Sequence, residues 1–209
     1  MLPVSERVGS TDGEGDGPVP PVVRASPWPV RMGTLLFREV TEADIEVLQS
    51  FRNDPDVNRF MVRTYVDPDD FRREWLAVPD SATDHSCVVE RHGQVVAMGF
   101  LDIVDGSGQP GHPTGTDGVI GYIVRPEAAG QGVGSATARA LLQAAFDGLG
   151  LRRVTAGANL DNVASVRVLE QAGMRRERHA VRALWHRELG WLDDVEYAML
   201  DDEWVARTP

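Results

Sequence analysis

Arg125-Pro126-Glu127-Ala128-Ala129-Gly130-Gln131-Gly132-Val133-Gly134-Ser135, running into an apolar helix-forming segment from Ala136 to about Leu149, is the stretch whose reading decides the fold. Just upstream, Val119-Ile120-Gly121-Tyr122-Ile123-Val124 is a short, apolar, β-branched run that stops at a proline, the pattern of a buried strand. The local order is therefore strand, glycine-rich turn, helix. Glycines at 130, 132 and 134 remove Cβ atoms where successive backbone N–H groups can converge on an anion, and a helix start adds partial positive charge. Such a turn can cradle a pyrophosphate, although glycines at this spacing also build plain loops and close helix–strand contacts. Two other phosphate-binding motifs do not fit. A Walker loop ends in Gly-Lys-Ser/Thr, and no lysine stands here; a Rossmann fingerprint belongs in the first βαβ unit, and this turn lies past the middle of the chain.

A second stretch settles the choice: Ala158-Asn159-Leu160-Asp161-Asn162-Val163-Ala164-Ser165-Val166-Arg167-Val168-Leu169-Glu170-Gln171-Ala172-Gly173-Met174. Around it stand the opening Phe37-Arg38-Glu39-Val40-Thr41-Glu42-Ala43-Asp44, then Asn53-Asp54-Pro55, and a close carrying Asp194, Tyr197, Leu200, Glu203 and Trp204. Taken in order, these pieces resemble the GCN5-related N-acetyltransferase (GNAT) superfamily, and within it the branch of ribosomal-protein-alanine acetyltransferase-like enzymes. The resemblance covers about Thr34 to Trp204. It implies a single α/β (α+β) domain whose central sheet is mixed but mostly antiparallel, with six to seven strands, splayed at the middle and flanked by about four helices.

Composition limits the function classes. The chain of 209 residues suits one domain with a full core. Its formal charge of −11, from 32 acids against 21 bases, disfavours nucleic acid or an anionic membrane as a partner. The same charge would attract a cationic substrate, while excess acid also serves plain solubility. One cysteine, Cys87, excludes an internal disulfide and a cysteine-rich metal site, so no metal is expected and a cytoplasmic location is the default. No apolar run reaches membrane-spanning length, and the first residues lack the basic-then-apolar form of a signal peptide.

Residues 1–33 are rich in proline and carry the Gly-Asp-rich run Thr11 to Gly17, with little apolar surface to offset ordering entropy, so a flexible tail is expected there and a folded domain over 34–209. Trp28, between two prolines, either pins the tail's end to the domain or belongs to an unremarkable extension, and the sequence does not decide between them. Leu35 to Val40 is a strand, and Thr41 with Asp44 forms a capping pair ahead of a helix burying Ile45, Leu48 and Phe51 or Arg52. Asp67-Pro68 starts another helix, with Phe71, Trp75 and Val78 on one side. Strands over His85–Glu90 and Gln94–Val104 make a hairpin, and the Gly/Pro-rich loop Asp105 to Gly118 offers His112 and Asp117 as acceptor-binding or proton-relay candidates. Asn162 caps a short helix with an apolar stripe at 163, 166, 169 and 172, and Arg175–Trp185 with Val195–Leu200 closes the chain as a hairpin.

The resemblance implies acetyl-CoA as co-substrate and direct acetyl transfer to a primary amine in a ternary complex. The acceptor would be a protein N-terminus or lysine, or a small cationic amine such as an aminoglycoside or polyamine, and the protein would be a monomer or homodimer. Backbone amides of Val124 and Arg125 would hold the thioester carbonyl. The turn Gly130, Gln131, Gly132, Val133, Gly134 and Ser135 would hold the pyrophosphate. Asn159 and Asn162 would belong to the cofactor site, Asn162 meeting the pantetheine arm. The helix pair with Asp54, Asp56, Asp69, Asp70 and Glu74 would form a wall of the acceptor pocket, or those charges form solvated helix faces. Three departures from the family stand out. Ala129 replaces the usual Gln or Arg opening the turn. Val119 stands where many members carry the general-base Glu. Leu169 stands where many carry a tyrosine acid. Ser165, one turn earlier, is the candidate acid, with Tyr122 in reserve; the bland role for Ser165 is bonding to its own helix cap. Cys87, on a strand away from the turn and without a paired histidine motif, is not expected to act covalently. With Val119 and Leu169 at those places, an acyl-CoA-binding sensor or interaction module is the alternative to an enzyme.

Overall fold

The structure, a computed structural model, describes residues 24–206. Eight strands form one sheet: β1 (Val30–Met32), β2 (Leu35–Arg38), β3 (Cys87–Arg91), β4 (Gln94–Val104), β5 (Asp117–Val124), β6 (Arg153–Asn159), β7 (Arg175–His186) and β8 (Gly190–Leu200). Their spatial order is β1-β2-β3-β4-β5-β6-β8-β7, antiparallel throughout except where β5 meets β6. Five helices accompany them: α1 (Ile45–Arg52), α2 (Pro68–Ala77), α3 (Val133–Gln143), α4 (Val163–Gln171) and α5 (Asp201–Val205). The α/β class and the mostly antiparallel sheet agree with expectation. The sheet exceeds the expected six to seven strands because β1 adds to its edge.

That edge also corrects the expected tail boundary. Trp28 is buried, its indole stacked on Phe37 with centroids 6.3 Å apart and its Nε1 donating to the His85 carbonyl at 2.8 Å. Val30–Met32 then pairs with Met32↔Leu35 and Val30↔Phe37. Apolar residues at 28, 30 and 32 supply enough burial to order a segment whose proline content reads as loose. Residues 24–33 thus belong to the fold, while the rest of the expected tail, residues 1–23, lies outside the described residues.

Local signals fix the first helices. Asp44 accepts from both the amide and hydroxyl of Thr41, at 2.8 and 2.7 Å, closing the cap ahead of α1. Arg38 grips the same carboxylate with two bonds of 2.8 Å and reaches Glu90 at 3.0 Å. Burial alone would raise the Asp44 carboxyl, but Arg38 and Thr41 outweigh it and hold it below the usual carboxylate range. Asp67 caps α2 through the amides of Asp69 and Asp70, with Pro68 at the first helical position. His92 and Gly93, both at positive φ, make the two-residue turn between β3 and β4.

The sheet is covered on both faces over its first half. On one side α1 and α2 pack Leu48, Phe51, Phe71 and Trp75 against Val88, Met98 and Ile123. On the other, α3 sets Ala140 and Leu141 with Phe37, Leu101 and Ile120. Thr137 in α3 is fully buried, its hydroxyl satisfied by the Val133 carbonyl at 2.8 Å. The expected stripe on α4 is narrower than its spacing suggests: Leu169 is buried, Val166 and Ala172 pack partly, and Val163 is exposed. The closing hairpin is longer than expected, reaching His186 and Gly190 before it turns.

Candidate functional site

The feature that builds the site is a divergence in the sheet. β5 and β6 pair in parallel only from Asp117↔Arg153 to Val119↔Thr155; beyond that β5 runs on to Val124 and β6 to Asn159 apart from one another. The wedge between them opens into a cleft of about 770 Å³. Tyr122 and Val124 line one wall, Ala156, Ala158 and Asn159 the other, and the glycine turn with the α4 residues Ser165, Arg167 and Gln171 lies across the mouth.

The turn has the form expected from its residues. Gly130 and Gly132 adopt φ of 72° and 78°, left-handed values that a side chain disfavours, and Gly132 caps α3. A Cβ at either position would meet nothing within 4 Å, so these glycines face open space. The first N–H groups of α3, at Val133, Gly134 and Ser135, have no partner within the helix and carry the positive end of its dipole. Gly130, Gly132, Gly134 and Ser135 line the cleft. Gln131 does not: its amide folds back to donate to the Glu127 carbonyl at 2.7 Å. The Val133 side chain is buried in the core, leaving its backbone to face the turn. Ser135 reaches Gln171 across to α4 at 3.4 Å.

One expected donor is misplaced. The Arg125 amide donates to the Val96 carbonyl at 2.9 Å, so it continues the β4–β5 ladder and is not available to a ligand. Its guanidinium pairs with Glu127 at 3.0 Å. Antiparallel ladders alternate, so with Ala97↔Val124 and Gly99↔Tyr122 in register it is the amides of Val124 and Tyr122 that point away from β4 toward the opening. The strand's last pairing, invisible in a single segment, makes the difference.

Two polar groups in the cleft are left without partners. Asn159 is buried at 4% exposure; its Oδ1 accepts from the Asp161 amide at 2.9 Å, while its Nδ2 has no hydrogen bond. The Tyr122 hydroxyl is buried and likewise completes no hydrogen bond. Burial pushes its phenol above the ordinary value, and the neighbouring Ser165 side chain acts the other way. The Ser165 amide, by contrast, is engaged by Asn162 Oδ1 at 3.2 Å, so Asn162 is the N-cap of α4 as its position suggested. The backbone of Ser165 serves the cap and its hydroxyl remains in the cleft.

Other candidates fall elsewhere. His112 sets its two ring nitrogens against the carbonyls of Gln109 and Gly106, at 3.1 and 2.9 Å, and knits its own loop together. Asp117 is held by Arg152 at 3.0 Å and by Thr116. Neither lines the cleft. Among the acids of the helix pair, Glu74 pairs with Arg63, Asp70 with Arg73, and Asp54 accepts from the amides of Asp56 and Val57. Cys87 is fully buried and its thiol is pushed far up by desolvation, which removes it as a nucleophile. Among the described residues no group of His, Cys, Asp and Glu is arranged to hold a metal ion, and no helix is long and apolar enough to cross a membrane.

The inner end of the cleft is lined by Val57, Phe60, Met61 and Phe100. Of these, Phe60 and Met61 carried no periodic signal, since they sit on the irregular 53–67 segment. That segment is fastened from afar: His186 at the end of β7 faces the Arg59 carbonyl at 2.6 Å, and its ring lies 5.9 Å from Phe60. Arg167 and Gln171 lie four residues apart on α4, so helical spacing read outward from the mouth would have found them.

Comparison with known proteins agrees with this geometry. A model of the acetyltransferase (GNAT) domain matches residues 34–175. A curated protein from Bacillus subtilis (strain 168), the uncharacterized N-acetyltransferase YnaD, is 33% identical over 85 residues, or 41% of this chain; the chain spans about half, 49%, of that relative's length. The structure of a GNAT-family acetyltransferase from Bacillus anthracis superposes with a TM-score of 0.68 at 24% identity, covering 84% of this chain and all of that one. A spermidine N-acetyltransferase from Vibrio cholerae, solved with CoA and spermine, gives 0.71 at 17% identity over 82% of this chain and 98% of its own. At these identities the two structures speak to the fold alone. With the family model matching well over half of its length, the protein belongs to the acetyltransferase (GNAT) domain family.

Proposed function

We propose that this chain is an acetyl-CoA-dependent N-acetyltransferase acting on a primary amine by direct attack in a ternary complex. The observation that carries the reading is the wedge between β5 and β6, with a glycine turn and helix start at its mouth and unpartnered polar groups inside it.

The residues present fit a CoA thioester. A diphosphate suits the open amides from Gly130 to Ser135 at the start of α3. The orphaned Asn159 Nδ2 calls for an acceptor such as an amide carbonyl of the pantetheine arm, and Arg167 at the mouth adds positive charge. The amides of Val124 and Tyr122, directed at the opening, suit the thioester oxygen, whose charge grows as the amine attacks. Collapse of that charge expels a thiolate, which needs a proton. Ser165 and Tyr122 are the hydroxyl-bearing residues beside one another in the cleft, and the phenol, raised by burial, stays protonated and can give up its proton only as negative charge builds on the departing sulfur. Ser165 is read as the group nearest the sulfur and Tyr122 as its proton source.

The acidic chain favours a cationic acceptor, and both a polyamine-like small amine and a protein N-terminus answer to that description. The test is to titrate purified protein with CoA by calorimetry, then to follow thiol release from acetyl-CoA with spermidine, an aminoglycoside, N-α-acetyl-lysine and an alanine-initiated peptide. Binding of CoA with amine-dependent thiol release is the expected result. Binding with no release above background for any amine would indicate a sensor and overturn the reading.

A further inference from the structure

Direct attack on a thioester needs a neutral amine, and an alkyl ammonium begins near pKa ~10, so a proton must go somewhere before the C–N bond forms. The cleft itself offers no place for it: among the described residues lining it there is no Asp, Glu, His or Lys, and the one cation among them is Arg167. The acceptor must therefore stand beyond the lining, where the substrate approaches the apex of the wedge.

The register of the sheet shows what stands there. Phe100 and Gly121 are paired across β4 and β5 and both line the cleft. The next pair on the same face, two residues along and so about 7 Å further, is Asp102↔Val119. Val119 is also the last residue of β5 paired with β6, so this pair flanks the point where the sheet opens. Val119 is 38% exposed, which leaves this patch of the face uncovered by α1 and α2. Along β4 and β5, Asp102 is the first carboxylate met on that face in going from the cleft to the apex; the carboxylates opposite the cleft-lining residues of β6, Asp194 across from Asn159 and Glu196 across from Gly157, lie beside Arg178. We propose that Asp102 is the proton acceptor for the incoming ammonium, a reading that rests on the acetyltransferase function above.

The surroundings suit the task. On its other side Asp102 forms an antiparallel bridge with Asp84, placing two carboxylates opposite each other. Although Asp102 reaches solvent, the protein packed about it, and then the charge of Asp84, push its carboxyl above the usual range, toward the pH at which a base works. Other charges on this face are paired: Asp117 with Arg152, Arg153 on β6 with Glu177, and Asp194 and Glu196 on β8 with Arg178, at 2.8 and 3.9 Å. From α2 the ring of Trp75 is set edge-on to Phe100, two residues before Asp102 on β4.

The step balances as follows. The Asp102 carboxylate takes one proton from R–NH3+, directly or through one water, giving R–NH2. The nitrogen lone pair forms the C–N bond, the C–S bond breaks, and the thiolate takes a proton from the Ser165–Tyr122 pair. The second proton lost by nitrogen restores that pair, and Asp102 returns its own to solvent. The net products are the acetamide, CoA–SH and one proton.

The test is the pH–rate profile of kcat/KM for the amine that gives the highest turnover in the panel above. For Asp102→Asn we expect a loss of about 10²-fold at pH 7 that narrows as pH rises toward the amine's own pKa, where free amine needs no base. Asp102→Glu should recover part of the rate. Asp84→Asn should move the acid limb to lower pH, because the repulsion that raises Asp102 is removed. CoA binding by calorimetry and the melting temperature should match wild type in all three variants. A deficit constant across pH, a change in KM with kcat intact, or an acid limb unmoved by Asp84→Asn each overturns the assignment. A wild-type protein that turns over no amine removes the acetyltransferase reading and this proposal with it, whereas an active wild type with an equally active Asp102→Asn removes the proposal alone.

Discussion

The two sides of the wedge are built differently. From β1 to β5 the sheet lies between two apolar layers, and Phe37, Val88, Val89, Ala97, Met98 and Leu101 are all but inaccessible. From β6 to β7 the sheet thins: β8 still contributes Val195, Tyr197 and Met199 to the core, but most of β7 is exposed. There the strands are joined by charge, with Glu177 between Arg153 and Arg175, Arg175 also on Glu203, and Arg178 on Asp194. Apolar burial supplies most of folding stability, while exposed ion pairs contribute little each. The stable half carries the glycine turn and Tyr122, and the cleft lies along the seam between it and the thinner half.

The contrast is most easily broken at its strong end. Phe37→Ala, fully buried under Trp28, should cost about 3–5 kcal/mol in denaturant unfolding; a loss as small as that of a β7 surface variant would remove the distinction. At the seam, Ser165→Ala should lower kcat about 10²-fold, or ~2.7 kcal/mol in the barrier, with CoA affinity within a factor of two. An unchanged rate takes Ser165 out of the mechanism and leaves its amide as a cap contact only. Gly132→Ala forces a side chain into left-handed backbone at a cost of about 1–2 kcal/mol, and it should weaken CoA binding about tenfold by calorimetry. Unaltered binding would mean the turn's conformation does not matter to the ligand.

The smallest effect tests the weak half. Arg153, then Arg175, hold the Glu177 carboxyl down to about 2 from an ordinary value near 4.5. A depressed acid binds fewer protons folded than unfolded, so its contribution is complete above about pH 4.5 and disappears as pH falls toward 2. Glu177→Gln should therefore flatten part of the stability loss over that window, by less than about 1 kcal/mol, and salt should shrink the difference. Amide exchange that stays as slow in β7 as in β3 under acid would contradict the comparison.

Much of this was legible in the residues because the signals are local. The cap at Thr41 and Asp44, the Asp67-Pro68 helix start, the glycine turn and the Asn162 cap each depend on side chains within a few positions, and all four form as read. The errors occur where a distant partner decides. Trp28 is anchored by the His85 carbonyl, 57 residues on, and by Phe37, and that anchor holds β1 against β2. His186 reaches 127 residues back to fasten the wall that presents Phe60.

The chain order of strand, glycine turn and helix, with a second capped helix some thirty residues on, was determined by the sequence alone, because backbone freedom at glycine, capping and apolar periodicity act over one or two turns. Tertiary structure alone decided that the Arg125 amide joins the ladder with Val96, that Val124 and Tyr122 face the opening, and that Asp102 stands beside Val119 at its apex. Register is a property of two strands at once. A slip of one residue would turn each of these groups to the opposite face, and what fixes it is the burial of side chains from both strands together.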